Sequence, residues 1–166
     1  MFRTTAAVAA LALAVLPALA FAQEDSKPMT DTEQAAWLNS QSAALAELKA
    51  EDGWGWLDGG VMWRRTEGNG TGARPSVADT VTVHYAGTLT DGSTFDSSFD
   101  RGQPATFPLS RLIKAWQVAI PMAAVGDTIE IAAPADMAYG PRGTGPIPGG
   151  ATLFFTIQLL GIPSQS

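Results

Sequence analysis

The run ATLFFTIQLLGI, residues 151–162, places Leu153, Phe155, Ile157 and Leu159 on one face of an extended chain. Such a strand cannot stand alone, because its backbone N–H and C=O groups need neighbours and its apolar face needs a cover. The rest of the chain offers both. TVTVHYAGTL (80–89) alternates Val81, Val83 and Tyr85 against Thr82 and His84, residues 61–66 read as a short strand, and TIEIAAP (128–134) puts Ile129 and Ile131 inward. Asp91-Gly92 suits a tight hairpin turn that reverses the chain into STFDSS. Between Ser110 and about Ile120, the residues Leu112, Ile113, Trp116 and Ile120 fall on roughly one helical face, and Pro121 limits the helix. The expected fold is therefore α+β: an antiparallel sheet of about five strands with one short helix packed across a face.

The N-terminal third has a different grammar. Residues 1–22 carry one basic residue, Arg3, then an alanine- and leucine-rich run broken at Pro17, and end in Ala20-Phe21-Ala22. That is the pattern of a secretory signal peptide cut before Gln23, too short and too rich in alanine for a membrane span. No cysteine follows to carry a lipid anchor or a disulfide, so an exported chain must rely on its packed core. Removal of the segment leaves nine basic against sixteen acidic residues, a net charge of −7. Such a surface is unsuited to nucleic acid or anionic lipid.

Residues 23–59 read as a helical leader and a Gly/Trp-rich hinge. Thr30 and Glu33 fit a capping box that opens a helix to about Lys49, with Trp37, Leu38, Leu45 and Leu48 as an incomplete apolar stripe. The hinge is EDGWGWLDGG, and residues 60–166 form the main domain.

Inventory removes most reaction types. His84, the single histidine, sits in an alternating strand and reads as structural, and no nucleophile elbow, P-loop or dinucleotide fingerprint is present. Asp96 and Asp100 in FDSSFDRG (95–102) could form an acid–base pair, or Asp96 could simply accept hydrogen bonds from Arg101. What remains is a set of aromatic and aliphatic groups, together with a long loop, PADMAYGPRGTGPIPGG (134–150), whose prolines argue for a defined shape.

The segments VHYAGTLTDGSTFDSSFDRGQPATFPL, IKAW, VGD and AYGPRGTGPIPGGATLFFTIQLL, in this order and spacing, resemble the FKBP-type peptidyl-prolyl cis-trans isomerases, the immunophilins that bind macrolides such as rapamycin. The exported leader resembles that of the envelope members, including the macrophage infectivity potentiator group. The resemblance implies a half-barrel wrapped around a short helix. It implies an apolar site whose catalytic groups are Asp96, Tyr139, Tyr85, Phe95, Trp116 and Phe155. Arg101, Phe107, Leu112, Ile113 and Ile147 would bind substrate, with no metal and no cofactor. Trp116 would floor the pocket, the Tyr139 hydroxyl and the Ile113 N–H would bind carbonyls, and Asp96 would be an orienting group held near Tyr85 and Arg101. Ala105 stands where the family often has an aromatic, and Ala115 where it has glycine before Trp116.

The implied activity is isomerisation of X–Pro bonds in folding secreted or envelope proteins, in the periplasm. The alternative is a chaperone or peptide-binding module using the same groove. The leader is expected to dock in cis through Trp37 and the Trp54–Trp56 hinge, leaving a monomer.

Overall fold

The computed structural model describes residues 28–165, so the signal segment expected at 1–22 lies outside the described residues. Seven strands form one open sheet: β1 (Gly55–Trp56), β2 (Met62–Glu67), β3 (Thr80–Thr88), β4 (Thr94–Ser97), β5 (Ala105–Pro108), β6 (Thr128–Ala133) and β7 (Leu153–Gly161). Their order is β1-β2-β6-β7-β3-β4, with β5 also on β3, and every pairing is antiparallel. β4 and β5 share the outer edge of β3, β4 opposite Ala86–Thr88 and β5 opposite Thr80–Val83. The sheet has two strands more than the alternation predicts, because β1 and β5, at two and four residues, are too short for a period to register.

The inward residues of the long strands form the core: Val81, Val83 and Tyr85 of β3, Ile129 and Ile131 of β6, and Leu153, Phe155, Ile157 and Leu159 of β7, all at most 7% exposed. Their cover is α2 (Lys114–Ala119), which buries Ala115, Trp116 and Ala119. A helix of six residues has no stability of its own in water, so this packing holds it, at roughly 1.5–3 kcal/mol for each large side chain buried. The helix begins later than its apolar spacing predicts. Leu109–Arg111 form a 3-10 turn, Leu112 is extended, and Ile113 is the N-cap. The Gln117 side chain donates to the carbonyls of Leu112 at 2.8 Å and Ser110 at 3.3 Å, satisfying acceptors that a continuous helix would have used. Pro121 then sits in the 3-10 turn Ile120–Met122 that ends α2.

The leader helix α1 (Asp31–Ala46) opens on the expected capping box, with both reciprocal bonds between Thr30 and Glu33 present. It stops three residues short of Lys49 and docks on the domain. Trp37 packs against the main core, while Leu45 and Leu48 pack on a second cluster of Trp54, Met62 and Ala132. Leu38 remains 43% exposed, and the residue buried most deeply is polar, Gln41 at 3%. Of the hinge tryptophans only Trp54 is buried. Trp56 is 65% exposed, because it lies in the edge strand β1, and its expected part in docking is corrected accordingly. Among the described residues no helix is long and apolar enough to cross a membrane.

Candidate active site

Between the sheet and α2 lies a cavity of about 250 Å³ lined by Tyr85, Phe95, Asp96, Phe107, Leu112, Ile113, Trp116, Tyr139 and Phe155. Its rings meet edge to face around the indole: Trp116 to Tyr85 at 5.2 Å, to Phe155 at 5.4 Å and to Phe107 at 6.5 Å. Edge-to-face contacts lock each ring through its neighbours and add about 0.5–1.5 kcal/mol per pair beyond burial. Pockets that engulf drug-sized ligands usually have ~300–1,000 Å³, so this one suits a small ring with its flanking groups.

Phe95 and Asp96 are adjacent in β4, and simple alternation would turn one of them away. A register shift prevents this: Gly87 pairs with Asp96 but Thr88 with Thr94, leaving Phe95 as the extra residue of a bulge. The same place explains Gly87. A Cβ there would collide with the Phe95 ring and come within 2.9 Å of Phe155, so only glycine lets both rings lie against β3. Sequence reasoning passed over Gly87, although a glycine inside an alternating strand is a recognisable signal of close approach.

Asp96 is anchored on both oxygens. The Tyr85 hydroxyl donates to Oδ2 and the Arg101 guanidinium donates to Oδ1, while Arg101 Nη2 also donates to the Tyr85 oxygen at 3.1 Å. Burial works against the charged carboxylate, but the Tyr85 and Arg101 hydrogen bonds outweigh it and hold Asp96 below the ordinary carboxylate pKa. Burial first, and then Asp96, push the Tyr85 hydroxyl up. The Tyr139 hydroxyl is raised by burial and by the Asp96 charge, so it stays a proton donor. Arg101 thus stands behind Asp96 rather than among the lining residues. Among the described residues Asp100 makes no pair with Asp96; its backbone N–H donates to the Ser97 hydroxyl oxygen at 3.1 Å.

Ser98 ties this turn to β3. Its Oγ accepts from the Tyr85 N–H at 2.7 Å and lies 3.0 Å from His84 Nδ1, and the His84 ring stacks on Phe99 at 4.8 Å. His84 therefore stands outside the cavity and supports the turn that carries Asp96. Ile147, within the long loop, is also absent from the lining and packs into the main core at 6% exposure. The buried Trp116 indole N–H has no hydrogen-bond partner among the described residues, and the Ile113 N–H makes no bond to another backbone group there. Among the described residues no group of three or more His, Cys, Asp or Glu side chains could hold a metal ion.

This arrangement can bind an apolar ring, withhold water from it and present donors at its rim. The chain is similar to known proteins. FkpA of Aeromonas hydrophila, an FKBP-type peptidyl-prolyl cis-trans isomerase, is 44% identical over 118 residues, 71% of this chain and 44% of that protein. Outer membrane protein MIP of Legionella longbeachae is 44% identical over 121 residues, 72% of this chain and 52% of its own. The chain thus spans about half the length of these curated relatives. The 1.6 Å crystal structure of a peptidyl-prolyl cis-trans isomerase from Pseudomonas syringae pv. tomato superposes with a TM-score of 0.72 at 32% identity, covering 81% of this chain and 98% of that one. Residues 72–160 match the family as a continuous block that takes in every group lining the cavity, and the chain belongs to the FKBP-type peptidyl-prolyl cis-trans isomerases.

Proposed function

We propose that the protein catalyses cis–trans isomerisation of X–Pro bonds in polypeptides, with the aromatic cavity as its active site. The observation that carries this reading is the union of a ring-sized apolar cavity with polar groups confined to one wall and the rim. Rotation about a peptide C–N bond faces a barrier of ~18–20 kcal/mol because resonance gives it double-bond character. The twisted state loses that resonance and its charge separation. An apolar cavity that strips water from the planar, dipolar amide therefore disfavours the ground state relative to the twisted one.

In this reading the prolyl ring sits on the Trp116 indole between Tyr85, Phe95, Phe107 and Phe155. The Tyr139 hydroxyl and the Ile113 N–H donate to substrate carbonyls, and Asp96, held by Tyr85 and Arg101, orients the polar wall. Leu112 adds apolar surface, and Ile147, itself in the loop, ties that loop to the core. A thousandfold acceleration needs about 4 kcal/mol, which desolvation and one or two directed hydrogen bonds supply. No step calls for a nucleophile, a metal or a cofactor.

The same reading extends to setting. The export-type segment at 1–22 and the likeness to a protein named for the outer membrane support action in the periplasm on secreted or envelope clients. Trp37 and Leu45 of α1 are spent on contacts within the chain, which supports a monomer. Macrolides such as rapamycin would compete for the cavity, with most of their bulk outside it.

The test is a protease-free isomerisation assay on a short X–Pro peptide. Acceleration that persists in EDTA and falls about fivefold in Tyr139→Phe, one hydrogen bond's worth, is the expected result. A folded protein that leaves the peptide's relaxation rate unchanged would sink the reading.

A further inference from the structure

The leader grips the loop that carries Tyr139. The indole N–H of Trp37 donates to the Gly149 carbonyl at 2.9 Å, across 112 positions of sequence. One turn on, the buried Gln41 accepts from the Thr152 N–H at 3.0 Å, and its own carbonyl accepts from the Thr152 hydroxyl at 3.0 Å. Leu38 lies so close to Gly150 that a Cβ there would come within 2.5 Å of its Cδ2. The other stem of the loop is held from the hinge, where Met137 packs directly onto Gly59. The two stems meet each other through the Gly150 N–H and the Gly140 carbonyl at 3.0 Å, next to Tyr139.

The leader helix thus spends its most buried residue and its one core-packed tryptophan on the loop. Tyr139 itself is 40% exposed, and its hydroxyl has no hydrogen bond that would fix it from within the cavity among the described residues. Its place over the cavity is set by the stems. A loop of this length has many closed conformations of similar energy, and bonds to a rigid helix select one. We propose that Trp37 and Gln41 are positioning residues for catalysis: through Gly149 and Thr152, α1 holds the 134–152 loop so that the Tyr139 hydroxyl meets the substrate. This rests on the isomerase reading above and adds to it a dependence on the leader that the isolated domain would not show.

Trp37→Phe keeps an aromatic ring in the core and removes only the donor to Gly149. On an X–Pro peptide, kcat should fall about fivefold with KM within about twofold, while Asn39→Ala, on the exposed side of α1, should match the parent. In the Tyr139→Phe background, Trp37→Phe should cost less than about twofold, because the group it positions is already gone. Amide exchange at Thr144 and Ile147, which bond to each other at the loop tip, should quicken in Trp37→Phe. Gln41→Leu should reproduce both effects. Full multiplication of the Trp37 and Tyr139 losses, or a Trp37→Phe protein with lower thermal stability but parental kcat and parental exchange, would overturn the proposal. If the parent itself fails to isomerise the peptide, the isomerase reading falls. Exchange at the loop tip then decides the strut by itself: quicker exchange retains it and parental exchange removes it.

Discussion

Two aspartate–arginine pairs in this molecule have the same chemistry and opposite employment. Asp127 is 2% exposed and accepts three bonds: from the backbone of Ala124 at 2.9 Å, from the backbone of Gly70 at 3.0 Å and from Arg65 Nε at 2.9 Å. Asp96 is 42% exposed and is held by two side chains, Tyr85 and Arg101, one of which lines the cavity. Both carboxyls lie below their ordinary pKa, each against the opposing effect of burial. Asp127 is held down mainly by backbone N–H groups of a loop and a strand entry, so it joins separate segments of the fold. Asp96 is held down by two side chains at a concave surface, so its field and its geometry are turned toward whatever enters.

The largest expected effect would break the first pair. Asp127→Ala leaves Arg65 half-buried beside two unanswered N–H groups, and denaturant unfolding should show a loss of about 3–5 kcal/mol, with turnover of the folded fraction unchanged. Loss of activity in protein that remains folded would erase the contrast. Asp96→Ala should show the reverse: at most about 1 kcal/mol of stability, as for exposed pairs, but a fall in kcat/KM of about tenfold. A stability loss as large as that of Asp127→Ala would make Asp96 a structural residue after all.

The smallest effect is in acid. A carboxyl whose folded pKa lies below its unfolded value contributes stability that is complete above the unfolded value, about 3.9, and is lost as pH falls through the folded value. Thermal stability should therefore be flat from about pH 5 to pH 8 and fall below about pH 4. Glu33, Asp79 and Asp91 share the direction and contribute a background. Against it, Asp127→Ala should flatten the acid limb more than Asp96→Ala does. Equal flattening would show that burial does not separate the two pairs.

The site candidates were legible because their signals are local. The alternation of β3 and β7 brought Tyr85 and Phe155 to the inner face, and the spaced family motifs named the rest. Phe95 beside Asp96 was legible as a motif but not as geometry, since a bulge depends on how β4 registers against Gly87 in another strand. Leu112 and Ile113 were read into a helix that does not include them, because Gln117 decides where the helix starts by answering carbonyls in space. Ile147 packs into the core and is not among the lining residues, a distinction that an apolar side chain in a proline-rich loop leaves open.

By itself, the sequence determined the strand faces, the capping box at Thr30 and Glu33, the aromatic composition of the cavity and the family. Periodicity, capping and short motifs are properties of neighbouring residues, and they survive in one dimension. Only the tertiary structure decided what α1 does. The stripe points to Trp37 as a docking residue, and Trp37 does pack on the core, but the most buried residue of α1 is Gln41, so hydrophobic pattern does not say which segment receives the helix. Its partners, Gly149 and Thr152, lie more than a hundred residues away, and a bond between a side chain and a distant backbone group leaves no mark on the residues around either end.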